Sequence, residues 1–369
     1  MSFKQYFTSE SVTEGHPDKV CDYISDSILD AYISQDICSH VACETLAKSD
    51  KVILAGEITS GGTVDLEAVV RQAVRDIGYT DNGEPFSADT LKVITYLTKQ
   101  AQEINAAVGQ AGEACPDLGA GDQGIMFGYA TDETPELMPL PILLAHKLSL
   151  GLATDRKTRR YPWLRPDGKT QVTVLYDGGK PVEVSHIIIA TQHKPEVSQA
   201  DIQDYARRVL LPQALGPWYH PGITLMVNSS GSFVQGGPSA DCGLTGRKNI
   251  VDAYGGAVPH GGGALSGKDP SKVDRSAAYF CRYVARQAVK AGVARKLEIQ
   301  VAYTIGQAEP LAIGVKTFGT GEEKAAYDFV KKYSFRPAAI IEKLDLYRPI
   351  YKTTTNYGHF GRPDLPWEK

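Results

Sequence analysis

The run Gln171-Val-Thr-Val-Leu-Tyr176 is rich in β-branched and aromatic residues, which predicts a β-strand. An Asp-Gly-Gly turn follows it at 177–179, and a second strand-like run covers 182–190. From 199 to 210 the apolar residues recur three and four positions apart, as they do on one face of an amphipathic helix. This stretch therefore predicts a pair of strands followed by a helix.

A weak internal repeat places similar units on both sides of this stretch. The N-terminal unit has a strand at 51–58, a Gly-Gly turn and a helix-like segment at 64–75. The C-terminal unit has strands at 298–305 and 311–318, followed by a helix-like segment at 322–332. Because a helix on one face of a mainly antiparallel sheet buries the apolar faces of both, the repeat predicts an α+β fold with three similar domains.

The predicted domains span 4–102, 116–234 and 236–369 of the 369 residues. Between the first two, the segment around 100–116 is rich in Ala, Gly and Gln. Its composition fits either an extension of a helix or a mobile loop.

The overall composition excludes several classes of protein. A net charge of −4 and a pI near 6.1 argue against a general nucleic-acid binder, and we interpret the basic stretch 156–160 as a solvated loop. We expect no membrane span, because no apolar run reaches the ~18–20 residues needed to cross a bilayer. The start lacks the pattern of a signal peptide, and the six cysteines form no C-x-x-C pair. These features predict a cytoplasmic protein with reduced thiols.

The residues that carry chemistry lie in glycine-rich connections. The longest is Pro259-His-Gly-Gly-Gly-Ala-Leu-Ser-Gly-Lys-Asp-Pro-Ser-Lys-Val-Asp274, whose glycines let backbone amides approach an anion closely. We expect Asp269 to cap a following helix that has Pro270 as its first residue. Lys268 and Lys272 would then lie where the helix dipole disfavours cations, which suggests a nearby anionic ligand. A solvated lysine pair is the alternative interpretation, and a Walker A loop is excluded because Asp269 replaces its Ser or Thr.

Further connections carry the same kinds of side chain. They are Glu14-Gly-His-Pro-Asp-Lys19, Gly119-Ala-Gly-Asp-Gln-Gly124, Arg165-Pro-Asp-Gly-Lys169 and Gly236-Gly-Pro-Ser-Ala-Asp-Cys-Gly-Leu-Thr-Gly-Arg-Lys248. Each one alone fits an ordinary turn or a helix cap. Together they supply cations suited to phosphate oxygens and carboxylates suited to Mg²⁺, which favours a polyphosphate site. Nucleophile-elbow, zinc and kinase motifs are missing from the sequence.

The motifs at 15–19, 119–124, 241–248 and 261–274 resemble the signatures of the methionine adenosyltransferase family. The likeness extends from Phe7-Thr-Ser-Glu-Ser-Val12 to Tyr357-Gly-His-Phe-Gly-Arg362 and Pro366-Trp-Glu368. It implies three α+β domains around a pseudo-threefold axis, in a homodimer or a dimer of dimers with active sites at the subunit interface. It also implies synthesis of S-adenosylmethionine from ATP and L-methionine, followed by hydrolysis of the triphosphate to pyrophosphate and phosphate.

The resemblance assigns roles to individual residues. It implies catalytic roles for His16, Lys169, Arg247, Lys248 and Lys268. It implies nucleotide contacts from His16, Asp122, Asp167, Lys169, Ser232, Phe233, Asp241, Arg247, Lys248, Ala264 and Lys268. It implies methionine contacts from Glu57, Gln100, Asp241 and Lys272. It implies two Mg²⁺ ions per site with Asp18 and Asp274 as ligands, and one K⁺ ion with Glu44 as its ligand.

The chain departs from the family's bacterial pattern at three places. Ser232 stands where Arg is common, Leu265 replaces a usual Phe, and the mobile loop begins Gln100-Ala-Gln-Glu-Ile. Two other classes of function fit the same phosphate-binding residues. One is an ATP-dependent kinase or ligase, and the other is a non-catalytic regulatory relative.

Overall fold

The computed structural model describes residues 3–99 and 118–369. Its strands are β1 Lys4–Val12, β2 His40–Lys48, β3 Lys51–Thr59, β4 Lys92–Thr98, β5 Gly124–Thr131, β6 Leu164–Asp177, β7 Lys180–His193, β8 Thr224–Val227, β9 Gly243–Leu244, β10 Lys296–Tyr303 and β11 Ala312–Lys316. Its helices are α1 Pro17–Ile33, α2 Leu66–Ile77, α3 Leu140–Lys157, α4 Gln199–Tyr205, α5 Leu211–Leu215, α6 Gly237–Ala240, α7 Asn249–Asp252, α8 Val273–Lys290, α9 Glu323–Val330 and α10 Pro337–Leu344. Among these described helices, none combines the length and the apolar character that a bilayer crossing needs.

Three sheets organise the molecule, in the strand orders β1-β6-β7-β8, β4-β3-β2-β9 and β11-β10-β5. Most neighbouring strands are antiparallel, while β3 pairs with β4 and β7 with β8 in parallel. The hairpin of β6 and β7 closes at Gly178 and Gly179, whose φ angles of 57° and 76° favour glycine. The predicted turn at this point is therefore confirmed.

Each sheet is covered on one face by helices over its own hydrophobic core. α1 and α2 bury Ile24, Ile28 and Val74 against β2 and β3. α3 and the helical stretch from α4 to α5 cover the first sheet, and α8, α9 and α10 cover the third. This arrangement of mainly antiparallel sheets with helices on one face confirms the predicted α+β class.

The sheets do not follow the chain in three consecutive blocks. β1 pairs with β6, with Lys4 opposite Asp177 and Val12 opposite Lys169. β5 pairs with β10, and the short β9 pairs with β2. Every sheet thus contains a strand from a neighbouring segment of the sequence, and the division at 4–102, 116–234 and 236–369 stays a prediction.

Helix α8 begins later than predicted. Its N-cap residue is Lys272, with no capping hydrogen bond from its side chain, and Val273 is its first residue. Asp269 is not the cap because its carboxylate accepts hydrogen bonds from the backbone N–H of Val41 at 2.6 Å and of Ser271 at 2.8 Å. The carboxylate of Asp269 therefore joins this loop to β2.

Candidate active site

The entrance to α1 fixes the orientation and the protonation of His16. Pro17 is the first helical residue, and the Nδ1 atom of His16 accepts the backbone N–H of Asp18 at 3.2 Å. Burial lowers the pKa of His16 to about 3, and the charges of Lys248 and Lys169 add to this effect against the opposing charge of Asp18. The ring is therefore neutral near pH 7. Because Nδ1 is an acceptor, the proton lies on Nε2, which can donate to a ligand.

The buried Asp18 is the centre of a cluster of charged side chains. Its Oδ2 accepts a hydrogen bond from Nζ of Lys248 at 2.7 Å, and its Oδ1 accepts the backbone N–H of Leu244 at 3.1 Å. Nε of Arg247 lies 3.6 Å from Oδ1 of Asp18. Burial acts to raise the pKa of Asp18, but the hydrogen bond and the charge of Lys248 outweigh it, so the pKa lies below its ordinary value. Asp18 is therefore an ionised carboxylate.

Strand β6 brings Asp167 and Lys169 to the same place. A register shift in the pairing with β7 precedes Gly168, and Lys169 then pairs opposite Ala190 with its side chain exposed. Asp167 is buried and accepts the backbone N–H of Gly237 at 2.8 Å. Burial raises the pKa of Asp167 to about 6, although Lys169 acts in the opposite direction. The charge of Lys169 thus acts on both Asp167 and His16.

The loop before α6 adds Ser232, Phe233 and, after the helix, Asp241. Phe233 donates its backbone N–H to Nε2 of His193 at 3.1 Å and accepts the backbone N–H of His193 at 3.0 Å. Ser232 and Asp241 are exposed. The negative charge of Asp241 acts to raise the pKa of both His16 and Asp167, which places it close to them. We name the following set the first group: His16, Asp18, Asp167, Lys169, Asp241, Arg247 and Lys248.

A second set of site residues gathers at the start of α8. Nζ of Lys268 lies 2.5 Å from Oδ2 of Asp274. Ala42 in β2 forms a β-bridge with Lys268 and is also the register partner of Glu57 in β3. Lys268 and Glu57 therefore lie on opposite sides of one residue in the second sheet. The second group consists of Glu57, Asp122, Lys268, Lys272 and Asp274.

Close backbone approach explains the glycines around the second group. A Cβ atom on Gly263 would lie 2.2 Å from Oδ1 of Asp274, and one on Gly121 would lie 3.0 Å from the carbonyl oxygen of Ser271. Because Gly121 lies this close to Ser271, the neighbouring exposed residue Asp122 lies beside the start of α8. Lys272 forms an ion pair with Asp269 at 2.5 Å. The two predicted lysines therefore have carboxylate partners within the chain, and neither is solely a solvated lysine.

The two groups have separate ionic contacts within one chain. Lys248 pairs with Asp18, whereas Lys268 pairs with Asp274. Their loops touch, because Nδ2 of Asn249 donates to the carbonyl of Gly262 at 3.1 Å, and a Cβ on Gly246 would lie 2.5 Å from that of Ala264. Glu44 projects from β2 as an exposed residue opposite Ala55, and Gln100 lies outside the described residues.

One predicted feature of the surface is partly wrong. Arg156 and Lys157 form the end of α3, and both bind the carboxylate of Glu14, with the Arg156 side chain only 11% exposed. The solvated-loop interpretation fails for Arg156 because Glu14 occupies the buried connection before α1. Sequence reasoning also missed Asp22 and Asp26 of α1, which bind the loops of the two groups. The recurrence of Asp at every fourth position after Asp18 is the signal that could have revealed them.

The carboxylates suit magnesium bound together with a nucleotide. Within residues 3–99 and 118–369 there is no group of three or more His, Cys, Asp or Glu side chains arranged to hold a metal by themselves. Mg²⁺ in nucleotide sites commonly uses one or two carboxylates and completes its shell with water and phosphate oxygens. Asp18 and Asp274, each next to cations that bind phosphate well, fit that chemistry.

The comparisons with known proteins cover nearly the whole chain and all point to one family. The family models for the N-terminal, central and C-terminal domains of S-adenosylmethionine synthetase match residues 4–102, 117–233 and 235–369. A protein of Thermus thermophilus named S-adenosylmethionine synthase is 54% identical over 98% of this chain and 95% of its own length. A protein of the same name from Desulforudis audaxviator is 53% identical over 99% of this chain and 96% of its own length. Another, from Sorangium cellulosum, is 52% identical over 98% of this chain and 87% of its own length. The chain therefore belongs to the S-adenosylmethionine synthetase family, whose members make S-adenosylmethionine from ATP and methionine and depend on metal ions.

Proposed function

We propose that this protein synthesises S-adenosylmethionine from ATP and L-methionine. The lone pair of the methionine sulfur forms a bond to C5′ of ATP, the C5′–O5′ bond breaks, and its electron pair leaves with the triphosphate. Water then cleaves the triphosphate to pyrophosphate and phosphate. The observation that carries the proposal is the first group, in which Arg247 and Lys248 lie against the buried carboxylate of Asp18 and the charge of Lys169 acts on the neutral His16.

The chemistry explains why cations and carboxylates suffice. A thioether sulfur is neutral and nucleophilic, so it needs no general base. In the transition state, negative charge grows on the departing triphosphate oxygen, where preorganised hydrogen-bond donors are most effective. Nε2 of His16 is such a donor, and the charge of Lys169 acts on the same ring. Positioning of sulfur, C5′ and leaving oxygen in line supplies the rest.

The proposed roles of the remaining residues rest on the family to which the chain belongs. Arg247, Lys248 and Lys268 bind phosphates, and Lys272 lies beside them near the methionine. The methionine is held by Glu57, Gln100 and Asp241. The other nucleotide contacts come from Asp122, Asp167, Ser232, Phe233 and Ala264.

The metal ions in this proposal are two Mg²⁺ and one K⁺ per site. Asp18 and Asp274 would hold Mg²⁺ and Glu44 would hold K⁺; bound Mg²⁺ neutralises phosphate charge. We expect EDTA to abolish activity, readdition of Mg²⁺ to restore it, and K⁺ to raise it relative to an equal concentration of a larger organic cation. Full turnover in chelator would exclude the magnesium assignment.

We further propose a homodimer, or a dimer of such dimers, in which each active site combines residues of two subunits. The support is the division of the site residues into two groups with separate ion pairs. In this arrangement the first group of one subunit faces the second group of its partner across the bound ATP. A cytoplasmic location is also proposed, and it agrees with the free thiols of the described cysteines Cys21, Cys38, Cys43, Cys242 and Cys281.

One experiment separates this proposal from its rivals. The pure protein is incubated with ATP, methionine, Mg²⁺ and K⁺, and the products are identified by mass spectrometry. We expect S-adenosylmethionine, pyrophosphate and phosphate. ADP would indicate a kinase and AMP a ligase, whereas unchanged substrates would indicate a non-catalytic relative.

A further inference from the structure

Helix α1 carries an aspartate at every fourth position: Asp18, Asp22, Asp26 and Asp30. Residues four apart lie on the same face of a helix, one turn above another. All four side chains are buried, and none is more than 5% exposed. A row of buried carboxylates is costly unless each one is hydrogen-bonded or paired with a cation.

Each of these carboxylates accepts backbone N–H groups from a segment that is distant in sequence. Asp18 accepts from Leu244 at 3.1 Å, and Asp22 accepts from Gly246 at 2.8 Å. Asp26 accepts from Gly267 at 2.8 Å. Asp30 accepts from Tyr351 and Lys352, both at 2.9 Å. One face of α1 thus binds three separate loops in order along the helix.

Buried cations compensate the two central carboxylates. Nζ of Lys19 lies 3.1 Å from Asp22 and also forms an ion pair with Asp252. The guanidinium of Arg275 donates to both oxygens of Asp26, at 2.7 and 2.8 Å. The same guanidinium donates to the carbonyl oxygen of Lys268 at 3.1 Å. Asp26 and Arg275 therefore bind the backbone on both sides of the Gly267–Lys268 peptide bond.

The amides bound by Asp22 and Asp26 belong to glycines next to the cationic residues of the site. Gly246 precedes Arg247 and Lys248, and Gly267 precedes Lys268. Both glycines have positive φ angles, 77° and 81°. A glycine can adopt many other conformations, so a flexible chain would place the following cations poorly without an external restraint.

We propose that Asp22 and Asp26 are positioning residues that fix the backbones of the two cation-bearing loops from a single helix. The effect of Asp22 and Asp26 on turnover rests on the proposed function, whereas their effect on the two loops does not. Misplacement of a reacting group by about 1 Å costs up to roughly a hundredfold in rate. Because α1 binds both loops, it would also fix their positions relative to each other.

The variants Asp22→Asn and Asp26→Asn keep the size of the side chain and remove its charge. Asp30→Asn is the matched control, because it makes the same change on the same helix face but binds only Tyr351 and Lys352. At temperatures well below each midpoint of unfolding, we expect kcat to fall at least about tenfold for the first two variants, with the KM for methionine nearly unchanged. The control should keep kcat within about twofold of the unmodified protein.

Hydrogen–deuterium exchange read by mass spectrometry tests the restraint without any assay of activity. In the unmodified protein, the amides of Gly246 and Gly267 should exchange at least tenfold more slowly than that of the exposed Gly319. Asp22→Asn should accelerate exchange in the segment around Gly246, and Asp26→Asn in the segment around Gly267. This measurement on the unmodified protein remains decisive if a variant does not fold.

Three results would overturn the proposal: fast exchange at Gly246 and Gly267 in the unmodified protein, unchanged kcat in both Asp22→Asn and Asp26→Asn, or an equal loss of kcat in Asp30→Asn. Absence of S-adenosylmethionine from the unmodified protein would contradict the proposed function alone, because the exchange results would still stand.

Discussion

At the scale of single residues, His16 shows how a short sequence sets a protonation state. Pro17 is the first residue of the helix, the backbone N–H of Asp18 donates a hydrogen bond to Nδ1 of His16, and the ring is buried. A protonated imidazolium would have no acceptor to offer that N–H group. The imidazole of His16 is therefore a neutral hydrogen-bond donor near Lys169 and Lys248. Its neutrality avoids a further positive charge in an already cationic site.

We expect the imidazole of His16 to remain neutral from pH 8 down to about pH 5, because its pKa is lowered to about 3. The unfolded chain binds a proton near pH 6.5 that the folded chain does not, so this residue makes the unfolding free energy fall as pH drops from about 6.5 toward 3. It has no effect on that energy above pH 6.5. Histidine-labelled NMR spectra, with His16→Asn for assignment, provide the measurement; titration of His16 near pH 6.5 would contradict the prediction.

Lys169→Ala and Lys268→Ala should each lower kcat at least about a hundredfold, since each removes a cation from the departing triphosphate. Folding should be retained because Lys169 is exposed and Lys268 only partly buried. Lys324→Ala is a suitable control, as that lysine pairs with Asp328 on an exposed face of α9. Steady-state kinetics and thermal unfolding of the three variants check the prediction, and near-normal turnover would remove the lysine concerned from its role.

Several residue roles followed from the motifs, and others required the fold. Glycine-rich connections with interspersed cations and carboxylates identified His16, Asp18, Lys248 and Lys268 as candidates. The helix cap at Asp269 was predicted wrongly because local rules cannot foresee that β2 supplies a competing N–H donor from Val41. Asp22 and Asp26 were missed for the same reason, as their partners lie more than 200 positions away.

At the scale of elements, close packing of β5 against α8 depends on a residue without a side chain. A Cβ on Gly128 would lie 2.2 Å from the carbonyl carbon of Cys281, which is backbone and cannot rotate away. Gly314, in β11 of the same sheet, would place its Cβ no closer than 3.8 Å to another atom, the side-chain Oε1 of Gln300. The two glycines therefore make a matched pair.

We expect Gly128→Ala to lower the unfolding free energy by about 1–3 kcal/mol or more, because α8 must move away from the sheet. Gly314→Ala should be neutral or raise the unfolding free energy by up to about 1 kcal/mol, through reduced entropy of the unfolded chain. Chemical denaturation of both variants gives the comparison. Equal changes for the two positions would show that the contact between β5 and α8 is not the cause.

The sequence predicted elements with clear periodicity and missed those without it. The strands around 51–58, 171–176 and 298–305 and the helices near 64–75 and 322–332 all appear. Their ends shift by one or two residues, except that β6 begins at Leu164, seven residues earlier than predicted. Helix α3 was not predicted because it is apolar on most sides and lies buried between layers, so it lacks the polar face that reveals an amphipathic helix.

At the scale of the whole molecule, the separation of the two groups makes a prediction about mixtures. If each site combines Lys169 of one subunit with Lys268 of another, a dimer of one Lys169→Ala chain and one Lys268→Ala chain contains one intact site. Random assembly of the two inactive chains makes half of the dimers mixed, so about a quarter of the normal activity should return.

The measurement is the activity of the two chains after coexpression, with each chain alone as the control. Activity no higher than that of the single variants would indicate that both lysines serve the same site within one chain. This outcome would contradict the shared-site proposal and would leave the reaction itself unaffected.

The strand order of the sheets was beyond sequence reasoning. The repeat predicted three similar units, and each sheet nevertheless includes a strand from another segment, as β1 does beside β6. Alternation of apolar and polar residues shows that a segment is a strand but not which strand is its neighbour. Pairing between distant segments depends on how the three sheets and their helices pack together.

The pairing of Lys4 with Asp177 also bears on how the chain is made. A ribosome that adds about 5–20 residues per second needs roughly 10–30 seconds to go from β1 to the end of β6. During that interval the first strand has emerged without its neighbour, and its open edge is available to other nascent chains. We therefore expect fragments that stop before residue 164 to aggregate, and slow translation of that stretch to increase the need for chaperones.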